Sequence, residues 1–280
     1  MLRWKEERQG ETALLIEGAR RIGKSTIVEE FAKNEYSSYI LVDFSKTATE
    51  INDLFNDLSD LNYIFLRLQL NYNVSLKERK SLIIFDEVQN NPKARQAIKH
   101  LVKDHRYDYI ETGSLISIRK NVQNIIIPSE ETRITMHPMD FEEFRWAMGD
   151  NVSFTLLKTV LEKKQPLGEA IHRKLMRDFR LYMLVGGMPQ AVDKYIKTND
   201  LSAVDTVKRD IIALYEEDLR KIDTSGKATA MFDAIPSQLS KNASRYTIST
   251  VIPGEKQDRI IDIVQLMEES RVANIAYHSN

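Results

Sequence analysis

The chain has 280 residues, 42% hydrophobic and 29% charged, the proportions of a soluble protein long enough for a substantial core and two domains. Its formal net charge of −1 gives no global attraction to nucleic acid or anionic membrane, and its zero cysteines exclude disulfides, thiol catalysis and cysteine-ligated zinc. No uninterrupted apolar run approaches the ~20 residues of a membrane span. The opening MLRWKEERQGE is too charged for a signal peptide, so a cytoplasmic protein is expected.

Met1 to Glu11 reads as a short lead-in helix on which Trp4 can pack against the domain. Ala13 to Ile16 is an apolar run of buried-strand length. Gly18-Ala19-Arg20-Arg21-Ile22-Gly23-Lys24-Ser25 then fills the template G-x-x-x-x-G-K-[ST], and Ile27, Val28 and Phe31 follow at helical spacing. Strand, glycine loop and helix in that order suit a phosphate-binding loop. Its backbone N–H groups curl into one concavity, and the helix N-terminus adds partial positive charge. Gly18 through Ser25, with Thr26, form the candidate cradle. Lys24 would reach the β- and γ-phosphates and face solvent when the site is empty, while Ser25 would offer its hydroxyl to Mg²⁺. The plain alternative is a glycine-rich turn before a surface helix.

Ser38 to Phe44 is a second strand, and Thr47 to Asn71 carries apolar positions that suggest helices broken near Asn62. Ser81 to Phe85 is a continuous apolar run ending in Asp86 and Glu87, as expected of a strand covered on both faces. A carboxylate at the carboxyl end of a central parallel strand lies in the crevice beside the phosphate loop. Asp86 would hold the Mg²⁺ shell, directly or through water, and Glu87 would orient and activate the attacking water. The alternative is an acidic N-cap. Pro92 to Asp104 is an amphipathic helix, and Tyr107 to Ile110 is a strand ending in Glu111-Thr112-Gly113-Ser114. The hydroxyls of Thr112 and Ser114 would lie beside the γ-phosphate if this strand neighbours the Asp-Glu strand, or they cap a helix over Leu115 to Arg119. Ile125 to Ile127 is a short apolar piece, Arg133 to Met136 is the expected fifth strand, and Asp140 opens a helix with an acidic first turn.

Beyond Gly149 the pattern is helical, punctuated by turns at Pro166-Leu167-Gly168 and Gly186-Gly187-Met188-Pro189. Ala228 to Leu239 is a further helix, Arg245 to Thr250 is strand-like, Ile260 to Met267 is helical and Arg271 to Tyr277 suits a wing strand, which together suggest a small winged helix. The five histidines (His100, His105, His137, His172, His278) show no ligand spacing.

The segments LLIEGARRIGKST, LIIFDEVQNNP, YIETGSL, MHPMDFEEF, LVGGMP and IPSQLSK together resemble the prokaryotic AAA-type ATPases that carry a C-terminal domain of unknown function, related to archaeal and STAND-like ATPases. The resemblance runs from residue 14 to about 241 and implies an α/β P-loop NTPase of AAA type with a five-stranded parallel sheet. A helical lid and a winged-helix-like segment would follow, giving domains over 1–150, 151–227 and 228–280. It implies ATP as the nucleotide, Thr112 and Ser114 as γ-phosphate sensors, and Arg133 as an arginine finger acting across subunits of a homo-oligomer. The plain alternative for Arg133 is a surface residue paired with Glu130 or Glu131. Relatives continue into a domain resembling restriction endonucleases, and the chain, ending at Asn280, is expected to lack that last domain. The expected function is Mg²⁺-dependent ATP binding and hydrolysis coupled to movement of the helical and winged-helix region, with no membrane partner. One rival is a slow nucleotide-gated switch that retains ADP. Another is a DNA-binding winged helix contacting phosphates through Lys241, Arg245, Lys256 and Arg259, a weak footprint among acidic neighbours.

Overall fold

The computed structural model describes residues 1–114, 129–240 and 245–276. Its strands are β1 (Ala13–Gly18), β2 (Ser38–Asp43), β3 (Ser81–Asp86), β4 (Asp108–Ser114) and β5 (Glu131–Met136). All pair in parallel, in the spatial order β2-β3-β4-β1-β5. The intervening helices are α1 (Leu2–Arg8), α2 (Lys24–Glu35), α3 (Thr49–Asp53), α4 (Leu61–Tyr72) and α5 (Pro92–Asp104).

The two-residue period of the strands divides their side chains between two cores. On one face Leu14, Ile16, Leu82, Ile84 and Ile110 pack with Trp4 of α1 and with Val28, Phe31 and Ala32 of α2. On the other, Leu15, Ile40, Val42, Ile83, Phe85 and Tyr109 pack with α3, α4 and α5. Burial on both sides explains why β3 reads as one unbroken apolar run.

Several boundaries differ from the sequence expectation, each for a local reason. β1 continues through Glu17 and Gly18, because both keep pairing with β4 and β5. β4 runs through Thr112 and Ser114, buried along its whole length, so these hydroxyls belong to the strand. The break between α3 and α4 falls before Leu61, where the Asp60 carboxylate accepts the Tyr63 N–H at 3.1 Å and fixes the helix start. The expected helix at Leu115 to Arg119 and the apolar piece Ile125 to Ile127 lie outside the described residues.

The chain forms two compact units, residues 137–215 and residues 1–136 with 216–280. The first is helical: α6 (Phe141–Ala147), α7 (Ser153–Glu162), α8 (Glu169–Val185), α9 (Pro189–Thr198) and most of α10 (Leu201–Ile222). Its core joins Phe144, Val185, Ala191, Val192 and Val204. Asp140 and Glu143 form a reciprocal capping box at the start of α6. The Met139 N–H donates to Gly187 O at 2.8 Å, and Tyr182 donates to Met139 O at 2.8 Å. A side chain at Gly187 would collide with the Met139 carbonyl.

In the other unit, the end of α10 packs with α11 (Lys227–Asp233), α12 (Ile235–Leu239) and α13 (Gln257–Glu269) around Leu219, Ala228, Met231, Ile263 and Met267. The single helix expected over Ala228 to Leu239 is divided at Ala234, just before Pro236, which cannot continue the hydrogen-bond ladder. The strand expected at Arg245 to Thr250 is instead extended chain and one 3₁₀ turn, Ile248–Thr250. Tyr246 donates to Met231 O at 2.7 Å and Gln238 donates to the Thr250 hydroxyl at 2.9 Å, so this segment is held by helices. Residues 271–276 carry no strand, and Tyr277 lies outside the described residues. Among the described residues the C-terminal region is helical.

Phe85 sits at the centre of an aromatic group, with ring centroids 5.5 Å from Phe44, 5.2 Å from Phe55 and 6.5 Å from Tyr109. Phe85→Ala is expected to cost about 3–5 kcal/mol of stability. Urea unfolding followed by circular dichroism measures it, and a loss below about 1 kcal/mol would contradict tight packing there.

Candidate phosphate-binding site

The loop between β1 and α2 begins at Gly18, which lies level with Ser114 of β4 on one side and Met136 of β5 on the other. A Cβ at Gly18 would collide with the Met136 carbonyl and come within 2.6 Å of Ile22 Cδ1, so only glycine fits. Arg21 and Gly23 take left-handed backbone angles, φ 63° and 91°, and turn the chain into the first turn of α2.

Lys24 is 6% exposed, not turned to solvent as the sequence suggested. Its Nζ donates to Ala19 O at 2.8 Å and to Gly18 O at 3.3 Å. Burial lowers its pKa, the Glu87 and Asp86 carboxylates oppose that, and the Arg20 charge adds to the lowering. The ammonium is therefore satisfied by the loop's own carbonyls while lying within the field of both acids.

Asp86, at the end of β3 and 7% exposed, is the meeting point. Its Oδ1 accepts the Ser25 hydroxyl at 2.7 Å and also the Thr112 hydroxyl. β4 lies between β3 and β1, which is the neighbour relation that brings Thr112 here. The Glu87 N–H donates to Thr112 Oγ1 at 3.4 Å, and Gln89 Nε2 donates to the Glu87 carboxylate. Glu87 itself has a left-handed backbone, φ 54°, which turns the chain sharply away from the strand. Lys24, Ser25, Asp86, Glu87 and Thr112 are thus gathered at the carboxyl end of the sheet. Ser114 lies at the same level, opposite Gly18.

A hydroxyl and a carboxylate oxygen 2.7 Å apart beside the loop are a hard-oxygen donor set that fits Mg²⁺.

Arg133 lies inside the fifth strand, which starts two residues earlier than expected, at Glu131; it is level with Leu15 and three residues before the strand end at Met136. Its Nη2 is 3.3 Å from Glu131 Oε2, the pairing weighed as the plain alternative. Of the cations considered for DNA, Arg259 contacts Asp223 at 3.1 Å, and Lys241 lies outside the described residues.

The sequence reading missed a buried charge cluster under the sheet. Arg95 of α5, 2% exposed, reaches Glu131 through Nε at 3.3 Å and Nη2 at 3.2 Å, with Glu111 of β4 fully buried beside them. A charged residue on the apolar face of α5 and a glutamate inside an apolar strand were its only traces in the sequence. Burial, then the Glu131 charge, raises the Glu111 pKa well above its ordinary value; Arg95 acts in the opposite direction. The folded chain therefore holds this proton more tightly than the unfolded chain, and stability falls as pH rises above the ordinary carboxyl value of 4.5. Glu111→Gln removes that slope. Its stability in urea unfolding is expected to gain on the wild type between about pH 5 and about pH 8. A constant difference across that range would show that Glu111 ionises freely in the fold.

Residues 10–145 match the family model described as an AAA domain, and residues 176–280 match a domain of unknown function, DUF8612. The expectation that the chain lacks its C-terminal domain is corrected by the second match. The segment is helical among its described residues, with α10 to α13 at its centre, and so it read as a lid and a winged helix. No curated protein matches the chain. Among solved structures, the crystal structure of the Pyrococcus furiosus Hef helicase domain matches at 12% identity over 95% of this chain and 67% of that chain, with a TM-score of 0.24, too slight a likeness to bear on fold or activity. The AAA match over 10–145, the five-stranded parallel sheet and the glycine loop before α2 agree on an α/β P-loop NTPase fold.

Proposed function

We propose that the chain is a Mg²⁺-dependent ATP-binding protein that hydrolyses ATP at the loop over residues 18–26. The observation that carries this reading is the convergence of two hydroxyls, Ser25 and Thr112, on one oxygen of Asp86 beside the ammonium of Lys24. Three separate elements contribute these groups, and a glycine-rich turn with an incidental acidic cap would not bring them together.

In this reading the loop N–H groups and Lys24 hold the phosphates, the lysine leaving the Gly18 and Ala19 carbonyls to do so. Ser25 and Asp86 would hold Mg²⁺, which supplies charge neutralisation when bound. Glu87 takes the proton of the attacking water, and Gln89 keeps its carboxylate oriented. Thr112, hydrogen-bonded to Asp86 and close to the Glu87 N–H, links the metal ligand to the base, and Ser114 is assigned as the second sensor hydroxyl. The proposed hydrolysis uses no group supplied by Arg133, whose side chain is paired within its own strand. In this proposal the ATPase domain spans 1–150, followed by a helical lid over 151–227 and a final segment over 228–280.

The tie between Gln89 and Glu87 also favours a second reading, a slow switch, because the amide occupies a carboxylate oxygen that would otherwise face the attacking water. Steady-state turnover separates the two: many turnovers per minute support the enzyme, and one turnover with retained ADP supports the switch.

Lys24→Ala is expected to abolish nucleotide binding, measured by titration of a fluorescent ATP analogue; unchanged affinity would refute the phosphate-loop assignment. Glu87→Gln is expected to retain binding and lower turnover by about 10²- to 10⁴-fold. Asp86→Asn is expected instead to weaken Mg²⁺-dependent binding, since it removes the charge at the metal position. Identical behaviour of the two variants in both assays would show that the carboxylates do not divide the work.

A further inference from the structure

The phosphate loop is tied to a residue 198 positions further along the chain. Arg20 Nη1, on the third residue of the loop, lies 3.1 Å from Oδ1 of Asp218 near the end of α10, within the same compact unit. The arginine side chain is 36% exposed and the aspartate side chain only 5%. Asp218 Oδ2 is buried without a hydrogen-bond partner, and Lys221 Nζ stands further off, 3.7 Å from Oδ1. The neighbouring Leu219 is fully buried in the cluster with Ala228, Met231, Ile263 and Met267. On the other side, the Arg20 charge is close enough to Lys24 to depress its proton affinity. One guanidinium therefore faces both the phosphate site and a buried carboxylate.

Resting on the reading of the loop as a nucleotide site, we propose that Asp218 and the nucleotide's phosphates compete for Arg20, so that nucleotide binding releases the end of α10 from the loop. Asp218 is a positioning residue in this scheme, since it acts on the phosphates only through Arg20. Phosphate is the stronger competitor, because it carries more charge and matches the guanidinium fork in two places. Once Arg20 turns to phosphate, Asp218 keeps only the more distant Lys221, and a buried carboxylate with so little compensation is costly. The end of α10 then moves toward water, and Leu219 loosens its hold on α11 and α13. Coupling of this kind is reciprocal: whatever draws the helix end away from the loop tightens nucleotide binding.

The test uses the full chain with a non-hydrolysable ATP analogue and Mg²⁺. Asp218→Asn keeps the shape and a hydrogen-bonding oxygen but removes the competing charge, so affinity for the analogue is expected to rise about fivefold. In the wild type, amide hydrogen exchange over residues 216–233 is expected to speed up when the analogue is added, a readout that needs no variant to fold. In Asp218→Asn that acceleration is expected to shrink. If the wild type binds the analogue but exchange in this segment slows or stays unchanged, or if a folded Asp218→Asn binds no tighter, the competition is overturned while the nucleotide site stands. A wild type that does not bind the analogue overturns both.

Discussion

A buried ammonium has to be satisfied before anything else at the carboxyl end of this sheet can be arranged. Lys24 meets that demand by folding back on the carbonyls of Gly18 and Ala19, the first two residues of its own loop. The solution needs Gly18 fixed in space, and Gly18 is fixed because β1 pairs on both sides, with Ser114 and Met136 at its level. The same register carries Thr112 to Asp86, and Asp86 to Ser25 at the start of α2. Loop, sheet order and acidic strand end are one arrangement, and shifting any strand by one residue would turn its hydroxyl or carboxylate to the wrong face.

How much of this was legible in the sequence depended on how local the signal was. The loop, the β3 run and the order of helices and strands are written in adjacent residues, through glycine spacing, apolar continuity and the period of the helix faces. What escaped was set by partners far away in the chain. The contact of Glu131 with Arg95 spans 36 positions and that of Arg20 with Asp218 spans 198. An arginine on an amphipathic helix looks like a solvated charge until its partner strand is known. The start of β5 was set two residues late for a related reason: the strand begins at Glu131, a charged residue that belongs to a strand only because β1 pairs with it. The strand expected at Arg245 to Thr250 failed because its aromatic and β-branched residues face helices instead of a neighbouring strand.

Two of the motifs that make the sequence particular turn out to serve the helical unit. The residues around Met139 and those around Gly187 hydrogen-bond to one another, and Tyr182 secures the same carbonyl. Arg145, buried beyond them, gathers Asp150, Asp178 and Ser153. These contacts fix how α6 meets α8 within residues 137–215. A motif's distinctiveness in sequence is therefore no guide to whether it acts in chemistry or in packing.

In the sheet as described, β5 is an outer strand and carries Arg133 with its side chain 45% exposed, anchored to a glutamate that is itself buried against Arg95. An outer strand offers a free row of amide and carbonyl groups on which any other extended chain can lie down. A charged side chain on such a strand discourages pairing of that row, and Arg133 is one. The cluster beneath the sheet thus reaches its rim: the glutamate buried against Arg95 is the same one that pairs with the arginine on the outer strand.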